Sequence, residues 1–353
     1  MQISITRTTS PKAKISADRL GFGKIFSDHM FMMEIENGEK QNPRIVPFGP
    51  LSLSPAATVL HYGQEIFEGL KAYKTMDGTV QLFRVRDNAE RMEEGAQRLC
   101  LHSPGADAFV QAVIELVSLE RDWVPNEKGT SLYIRPNLFG IDNKLGVDAA
   151  HKVLFNIICS PSGAYYSTGL APVKIYVESN YVRAVRGGMG YTKTGGNYAA
   201  SLIAGVKAHE SGYNQVLWLD GVERKYIEEV GAMNMFFLFN DELCTPQLQG
   251  SILPGITRRS IITLAADFGI PVTERRLSMQ EVYERSQKGE LIEAFGSGTA
   301  AVVSPVCELF WEGKKIAIGN GEIGSVTQRF YDTLAGIQYG ETEDKHGWIT
   351  VIE

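Results

Sequence analysis

The chain has 353 residues, of which 44% are hydrophobic and 22% charged, with a formal net charge of −6. That length supports a large buried core and two domains rather than one, and the scattered charge excludes a basic nucleic-acid face. No apolar run approaches the ~18 residues a membrane span needs.

The N-terminal MQISITRTTSPKAKIS is rich in Ser and Thr, but Pro11 breaks it and it lacks an apolar stretch. A cytoplasmic location is therefore expected rather than a secretory one. The four cysteines (Cys100, Cys159, Cys244, Cys307) are far apart with no CxxC, and the six histidines form no HExxH. Neither a zinc ribbon nor another metal site is expected, and all four cysteines read as small buried hydrophobes.

In chain order, LHYGQEIFEG (60–69) leads into KAYKTMDGTVQLFR, read as two strands about an Asp77-Gly78 turn. Asp87 and Glu90 form a D-x-x-E capping signature opening a helix to about Leu101, with Ala89, Met92, Ala96 and Leu99 inward. A second helix over 106–122 turns Phe109, Val113, Leu116 and Val117 inward, and strands follow at 131–139 and 152–160. The aperiodic PSGAYYSTGLAP (161–172) is the expected interdomain connection, which puts one domain at 1–170 and the other at 171–353.

The second half opens with the strand VKIYVES, a glycine-rich stretch, and a helix over 199–211. Three strands follow (VLWLD, RKYIEEV, MNMFFLFN), the first two joined by an Asp220-Gly221 turn. LPGITRRSIITLAADFG reads as a turn and a helix with Ile261, Leu264, Ala265 and Phe268 inward. A helix over 279–288 then precedes EAFGSGTAAVVSPV. Helices and strands are mixed without the regular alternation of a doubly wound sheet.

The stretch GMGYTKTGGNYAAS (188–201) fails as a phosphate loop. A P-loop needs Gly before its Lys, where Thr192 stands, and a G-x-G-x-x-G pattern breaks at Lys193. The other reading is an amine nucleophile: small neighbours would let a ring approach Lys193 closely, and an amine held out of water is more readily neutral and able to form an imine with an aldehyde. Two other segments suit phosphate. In LPGITR the amides of Ile256 and Thr257 open a helix, and GSGTA (296–300) exposes amides beside Thr299. Taken alone, each is first an ordinary turn, and Arg91 is first a solvated charge. Of Glu228 and Glu229, strand alternation turns one inward and its neighbour to water. The inward one needs a partner, either a protonated ring nitrogen or a structural arginine.

Together, TKTGGNY, YIEEVGAMN, LPGITR and GSGTA resemble the branched-chain amino acid aminotransferases, within the fold-type IV enzymes that use pyridoxal 5′-phosphate. LGFGKIFSDHMF, LHYGQEIFEGLKAY, LFRVRDNAERM and LYIRPNLFG extend the resemblance over roughly 20–335. It implies an α+β, two-domain fold with a small N-terminal domain and a larger C-terminal one of mixed-sheet, barrel-like core. It also implies an exchange of amino groups between L-leucine, L-isoleucine or L-valine and 2-oxoglutarate. By position, Lys193 matches the lysine that binds the cofactor aldehyde. Glu229 matches the carboxylate at the pyridine nitrogen, Arg91 the phosphate arginine aided by Ile256, Thr257 and Thr299, and Tyr198 the partner of the cofactor phenol. Phe22, Tyr62, Phe67 and Tyr133 match an apolar-aromatic substrate pocket, with Arg135 for the distal carboxylate of glutamate. Ala300 and Tyr62 match the groups that hold the α-carboxylate. The resemblance further implies a homodimer in which Lys144 to Val147 (KLGV) reaches the neighbouring subunit's pocket, with no membrane or nucleic-acid partner. D-amino acid transaminase and aminodeoxychorismate lyase share the implied fold and cofactor and are the alternatives. A nucleotide-binding protein is the rival of another class. Two departures stand out: Ala301 and Ser304 replace a C-x-x-C found in some members, and Ala232 stands where others have Thr.

Overall fold

In strand β2 (His29–Glu36) the alternate residues Phe31, Met33 and Ile35 are fully buried, as one strand face on a core requires. The computed structural model describes residues 1–163 and 170–353; within the expected connection 161–172, residues 164–169 lie outside the described residues. Two units share the chain. The first takes in Met1–Ser167, Thr192–Gly195 and Gly336–Glu353, and the second Thr168–Tyr191 and Gly196–Ala335. The first unit thus takes in two pieces of chain from beyond residue 170.

The first unit is built on one sheet. Its strands are β1 (Ser4–Ile5), β2, β3 (Glu39–Pro47), β4 (Glu65–Phe67), β5 (Leu70–Lys74), β6 (Val80–Phe83), β7 (Ser131–Gly140), β8 (Lys152–Ser162) and the C-terminal β18 (Ile349–Ile352). Their order is β1-β3-β2-β8-β7-β5-β6-β18, with β4 paired to β7. Helices α2 (Val85–Arg98) and α3 (Ala106–Leu119) bury Ala89, Met92 and Ala96, and Phe109, Val113, Leu116 and Val117, in the sheet's core. The short α1 (Thr58–Tyr62) ends on Gly63 in the left-handed conformation.

Three local expectations change here. Asp87 does not cap α2: the N-cap is Arg84, left-handed at φ 53°, and Asp87 sits a turn inside, paired with Arg84 Nε at 2.7 Å. Arg91 therefore lies in the second turn of α2. The helix expected over 106–122 ends at Leu119, and Arg121–Trp123 form a separate 3-10 turn. Cys100 is exposed rather than buried, because it follows the α2 C-cap in a left-handed turn that sends Leu101, not Cys100, into the core. Cys307 is partly buried, and Cys159 and Cys244 are buried; burial pushes the Cys244 thiol up to about 12.

The second unit comprises β9 (Val173–Glu178), α4 (Gly195–Glu210, its first residue in the other unit), β10 (Gln215–Leu219), β11 (Ile227–Val230), β12 (Met233–Phe239) and β13 (Leu243–Pro246). It continues with α5 (Ile256–Asp267), β14 (Val272–Arg275), α6 (Met279–Gln287), β15 (Leu291–Gly298), β16 (Val302–Trp311), β17 (Lys314–Ala317) and α7 (Ser325–Gln338, whose last residues join the first unit). The strand order is β11-β10-β9-β16-β15-β12-β13-β14, and β11 also pairs with β12. Six strands thus close into a ring, which makes the sheet barrel-like. The turn expected at Asp220-Gly221 is held by the Asp220 carboxylate, which accepts the N–H groups of Val222, Glu223, Lys225 and Tyr226 at 2.7–3.2 Å. Helix α4 begins at Gly195, four residues before the expected start, so the glycines after Lys193 are its first turn. Ala204 and Ala208 pack it on Val216 and Trp218. Ser278 accepts from Glu281 N–H and caps α6.

Candidate active site

In the first unit, β7 points Tyr133 and Arg135 to one face by strand alternation. The Arg135 guanidinium carbon lies 4.7 Å from the centre of the Phe67 ring and 5.3 Å from that of Tyr133, and Arg135 Nη2 donates to the Tyr133 hydroxyl at 3.0 Å. Lys193 reaches the same ring, with Nζ 5.0 Å from the Phe67 centre. Phe22 closes edge-on against Tyr133 at 4.9 Å. Gly69 is required beneath this wall, since a Cβ there would overlap the Tyr133 hydroxyl. Five residues singled out in the sequence (Phe22, Phe67, Tyr133, Arg135 and Lys193) are therefore neighbours. The Arg135 Nε is buried without a hydrogen-bond partner among the described residues, a donor left for something polar to meet.

Arg91 is buried on α2 and bidentate to Glu68, Nε to Oε1 and Nη2 to Oε2, both at 2.8 Å. Glu68 is the residue that sequence reasoning missed here: a carboxylate 1% exposed, held beside a fixed cation, orients the arginine's fork. Lys71 was missed as well. It lies opposite Tyr133 in the β5–β7 register, and burial pushes its enclosed amine down to about 8, although the residue is only partly buried by surface area. A lysine in the apolar strand LKAYK was the available signal. Tyr62 donates its hydroxyl to the Leu145 carbonyl and is 43% exposed, while Val147 is 82% exposed.

In the second unit, Glu228 and Glu229 are both buried, against the expectation that one faces water. Closure of the sheet explains it: β11 is paired on both sides and covered on both faces, so alternation sends the two carboxylates to different enclosed surroundings. Glu229 Oε2 lies 2.7 Å from Arg183 Nε, an ion pair whose N–H is not aligned for a hydrogen bond. Its Oε1 accepts from Leu253 N–H at 3.0 Å and Asn234 Nδ2 at 3.3 Å. Glu228 accepts from the Ser251 hydroxyl, leaves Oε2 without a hydrogen-bond partner among the described residues, and is pushed up by burial.

Asn234 ties this carboxylate to a helix end. Its Nδ2 also donates to Leu253 O at 2.9 Å, and a Cβ on Gly255 would overlap its Oδ1. Gly255 is the N-cap of α5 and offers no side chain, so the first-turn amides, those of Ile256 and Thr257 among them, have no intrahelical partner. Both residues are buried. The GSGTA segment ends β15: Gly296 and Gly298 leave room for Met233, and the Ser297 hydroxyl is buried without a hydrogen-bond partner among the described residues. Thr299 and Ala300 form the turn after it, half-buried, and Tyr198 is half-buried on α4. An anion suits this helix end and these small-residue turns. Among the described residues no cluster of His, Cys, Asp and Glu is arranged to hold a metal.

The amino-transferase class IV family model matches residues 65–309. A probable branched-chain-amino-acid aminotransferase of Staphylococcus aureus is 52% identical over 99% of this chain and 98% of its own length. Branched-chain-amino-acid aminotransferase 2 of Bacillus subtilis is 49% identical over 99% and 97%. The crystal structure of the Escherichia coli branched-chain amino acid aminotransferase superposes with a TM-score of 0.75 at 31% identity, covering 92% of this chain and 99% of that one. The T.th. branched-chain amino acid aminotransferase with pyridoxamine 5′-phosphate superposes at 0.79 and 27%, covering 94% and 100%. The fold is therefore that of the fold-type IV enzymes, and the chain belongs to the class IV amino-transferase family, in its branched-chain-amino-acid aminotransferase branch.

Proposed function

We propose that this chain is a branched-chain amino acid transaminase that moves the amino group reversibly between L-leucine, L-isoleucine or L-valine and 2-oxoglutarate, with pyridoxal 5′-phosphate as cofactor. One observation carries the reading: the Phe67 ring has the Lys193 amine at 5.0 Å and the Arg135 guanidinium at 4.7 Å. An aromatic wall carrying one cation at its edge accepts an aliphatic side chain by burial and a distal carboxylate by charge. The T.th. enzyme, crystallised with pyridoxamine 5′-phosphate, supports the cofactor. The residues present suit that group: a helix end with open amides, an orphaned Ser297 hydroxyl and a buried carboxylate at Glu229.

When bound, the cofactor supplies an electron-withdrawing ring that carries the amino group from one substrate to the next. In this reading Ile256, Thr257, Thr299 and Arg91 hold its phosphate, Tyr198 its phenol and Glu229 its ring nitrogen. Arg183 and Leu253 N–H hold the Glu229 carboxylate in place. Lys193 would hold the cofactor at its aldehyde and would move the proton at the substrate α-carbon. Phe22, Tyr62, Phe67 and Tyr133 exclude water around the aliphatic side chain, and Ala300 N–H with Tyr62 orients the α-carboxylate. The molecule is read as a cytoplasmic homodimer, with Val147 contributed to the neighbouring subunit.

The test is direct. Purified protein given L-leucine and 2-oxoglutarate should form 4-methyl-2-oxopentanoate, and its visible cofactor band should vanish in Lys193→Ala. Activity on D-alanine without activity on L-leucine would overturn the reading. Arg135→Ala should cost glutamate about 2 kcal/mol more than leucine in kcat/KM; equal losses on both substrates would remove Arg135 from the distal-carboxylate role.

A further inference from the structure

The segment carrying Lys193 is gripped at two points by one short strand. Phe67 N–H donates to Lys193 O at 2.9 Å, and the N–H of Gly195 donates to the Glu65 carboxylate. Glu65 and Phe67 are the two ends of β4, which pairs with β7 in the register Glu65↔Phe139 and Phe67↔Asn137. Asn137 steadies the grip from β7: its Nδ2 meets Glu65 Oε2 and Ile66 O, each at 3.3 Å. A Cβ on Gly195 would overlap Glu65 Oε1 and push the carboxylate aside, so glycine keeps this amide and this carboxylate close.

We propose that Glu65 is a positioning residue for Lys193, anchoring the backbone two residues beyond the lysine so that the amine is held on the Phe67 ring. The inference rests on Lys193 being the reactive amine and adds a residue that the reading above does not use. A lysine side chain is long and rotatable, and its reach is defined only if the backbone that carries it is fixed. The Phe67 bond holds the carbonyl of Lys193 itself and the Glu65 bond holds the amide two residues on, so two successive peptides leaving the lysine are pinned to β4. A carboxylate that accepts a backbone N–H makes a stronger bond than a neutral acceptor. Burial pushes the Glu65 carboxyl up, while the Gly195 N–H, Asn137 and the charge of Arg135 draw it back. The group is thus enclosed and committed to these partners, where a surface glutamate would be solvated.

The test compares the holoenzymes of wild type, Glu65→Ala, Glu65→Gln and Asn137→Ala. Glu65→Ala should lose about tenfold to a hundredfold in kcat, the scale set by moving a reacting group by about an ångström, with little change in the KM for leucine. Glu65→Gln keeps an oxygen for Gly195 and should recover most of that loss. Hydrogen exchange across 192–196 should quicken in Glu65→Ala and Asn137→Ala but not in Glu65→Gln. If Glu65→Ala fails to fold, Asn137→Ala must still show the faster exchange together with a lower kcat. Unchanged exchange and kcat in the variants that remove the grip, or a Gln variant as slow as Ala, overturns the clamp. A wild-type protein without the visible cofactor band overturns the parent reading and this one with it. A band that is present and lost in Lys193→Ala, beside Glu65 variants indistinguishable from wild type, overturns the clamp alone.

Discussion

Glu228 and Glu229 are adjacent, equally hidden from water, and under opposite demands. Glu229 is held by Arg183 at 2.7 Å and by Leu253 N–H, so removing its carboxylate strands a buried cation. Glu229→Ala should therefore cost ~3–5 kcal/mol in stability, which confounds any activity measurement. Glu229→Gln is the cleaner probe, because an amide oxygen still accepts from Leu253. It should fold and bind cofactor while turnover falls by about 10²-fold; wild-type turnover in this variant would remove Glu229 from its assigned role. Glu228 is different, since burial raises its carboxyl despite Ser251 and Arg183. The folded protein then keeps a proton that the unfolded chain releases. Its stability is full below the ordinary glutamate range and declines as pH rises through the raised value. Glu228→Gln should flatten that decline in melting temperature against pH, and an unchanged slope would show that Glu228 does not cause it.

At the scale of elements, the sequence was most readable where its signals were local. The Asp77-Gly78 hairpin lies where its turn residues put it, as Gly78 has φ 87° and β5 pairs antiparallel with β6. The inner faces of α2 and α3 follow from helical spacing. The D-x-x-E signature misled because Arg84 took the left-handed turn itself and drew Asp87 into an ion pair, a choice that depends on where β6 releases the chain. The role of Asn234 was hidden for a related reason: nothing in YIEEVGAMN tells that it reaches Leu253 and crowds Gly255. That contact yields an element-scale prediction. In Gly255→Ala the added Cβ displaces Asn234 or shifts the start of α5, turning its amides from the proposed phosphate position. Phosphate-dependent cofactor affinity should fall about tenfold, or ~1.4 kcal/mol, with Asn234→Ala relieving the clash and recovering part of it. Equal cofactor dissociation constants for Gly255→Ala and wild type would detach the α5 N-terminus from phosphate binding.

At the scale of the whole molecule, long-range pairing is what a single sequence hides. The C-terminal ITVI carries no mark of its partner, yet β18 pairs with β6 in register from Ile349↔Phe83 to Ile352↔Val80 and completes the first unit's sheet. Thr192–Gly195 joins that unit for the same reason, because the lysine segment is bonded to β4 rather than to its chain neighbours alone. The proposed homodimer is legible only through exposure: Leu145 and Val147 are 66% and 82% exposed on a loop whose carbonyl takes the Tyr62 hydroxyl. Two apolar side chains displayed to water on a tethered loop are suited to burial in a second copy. If Val147 serves the neighbour's pocket, Val147→Asp should raise the KM for leucine while leaving the cofactor band intact, and Lys193→Ala should be inactive. Co-refolding the two variants then creates mixed dimers in which the Val147→Asp subunit supplies an intact Lys193 and its partner an intact Val147. In a symmetric dimer with random pairing, half the dimers are mixed and one of their two sites works, so about a quarter of wild-type activity should return. Activity of the mixture equal to the mean of the two parents would show that each subunit uses its own Val147, or none.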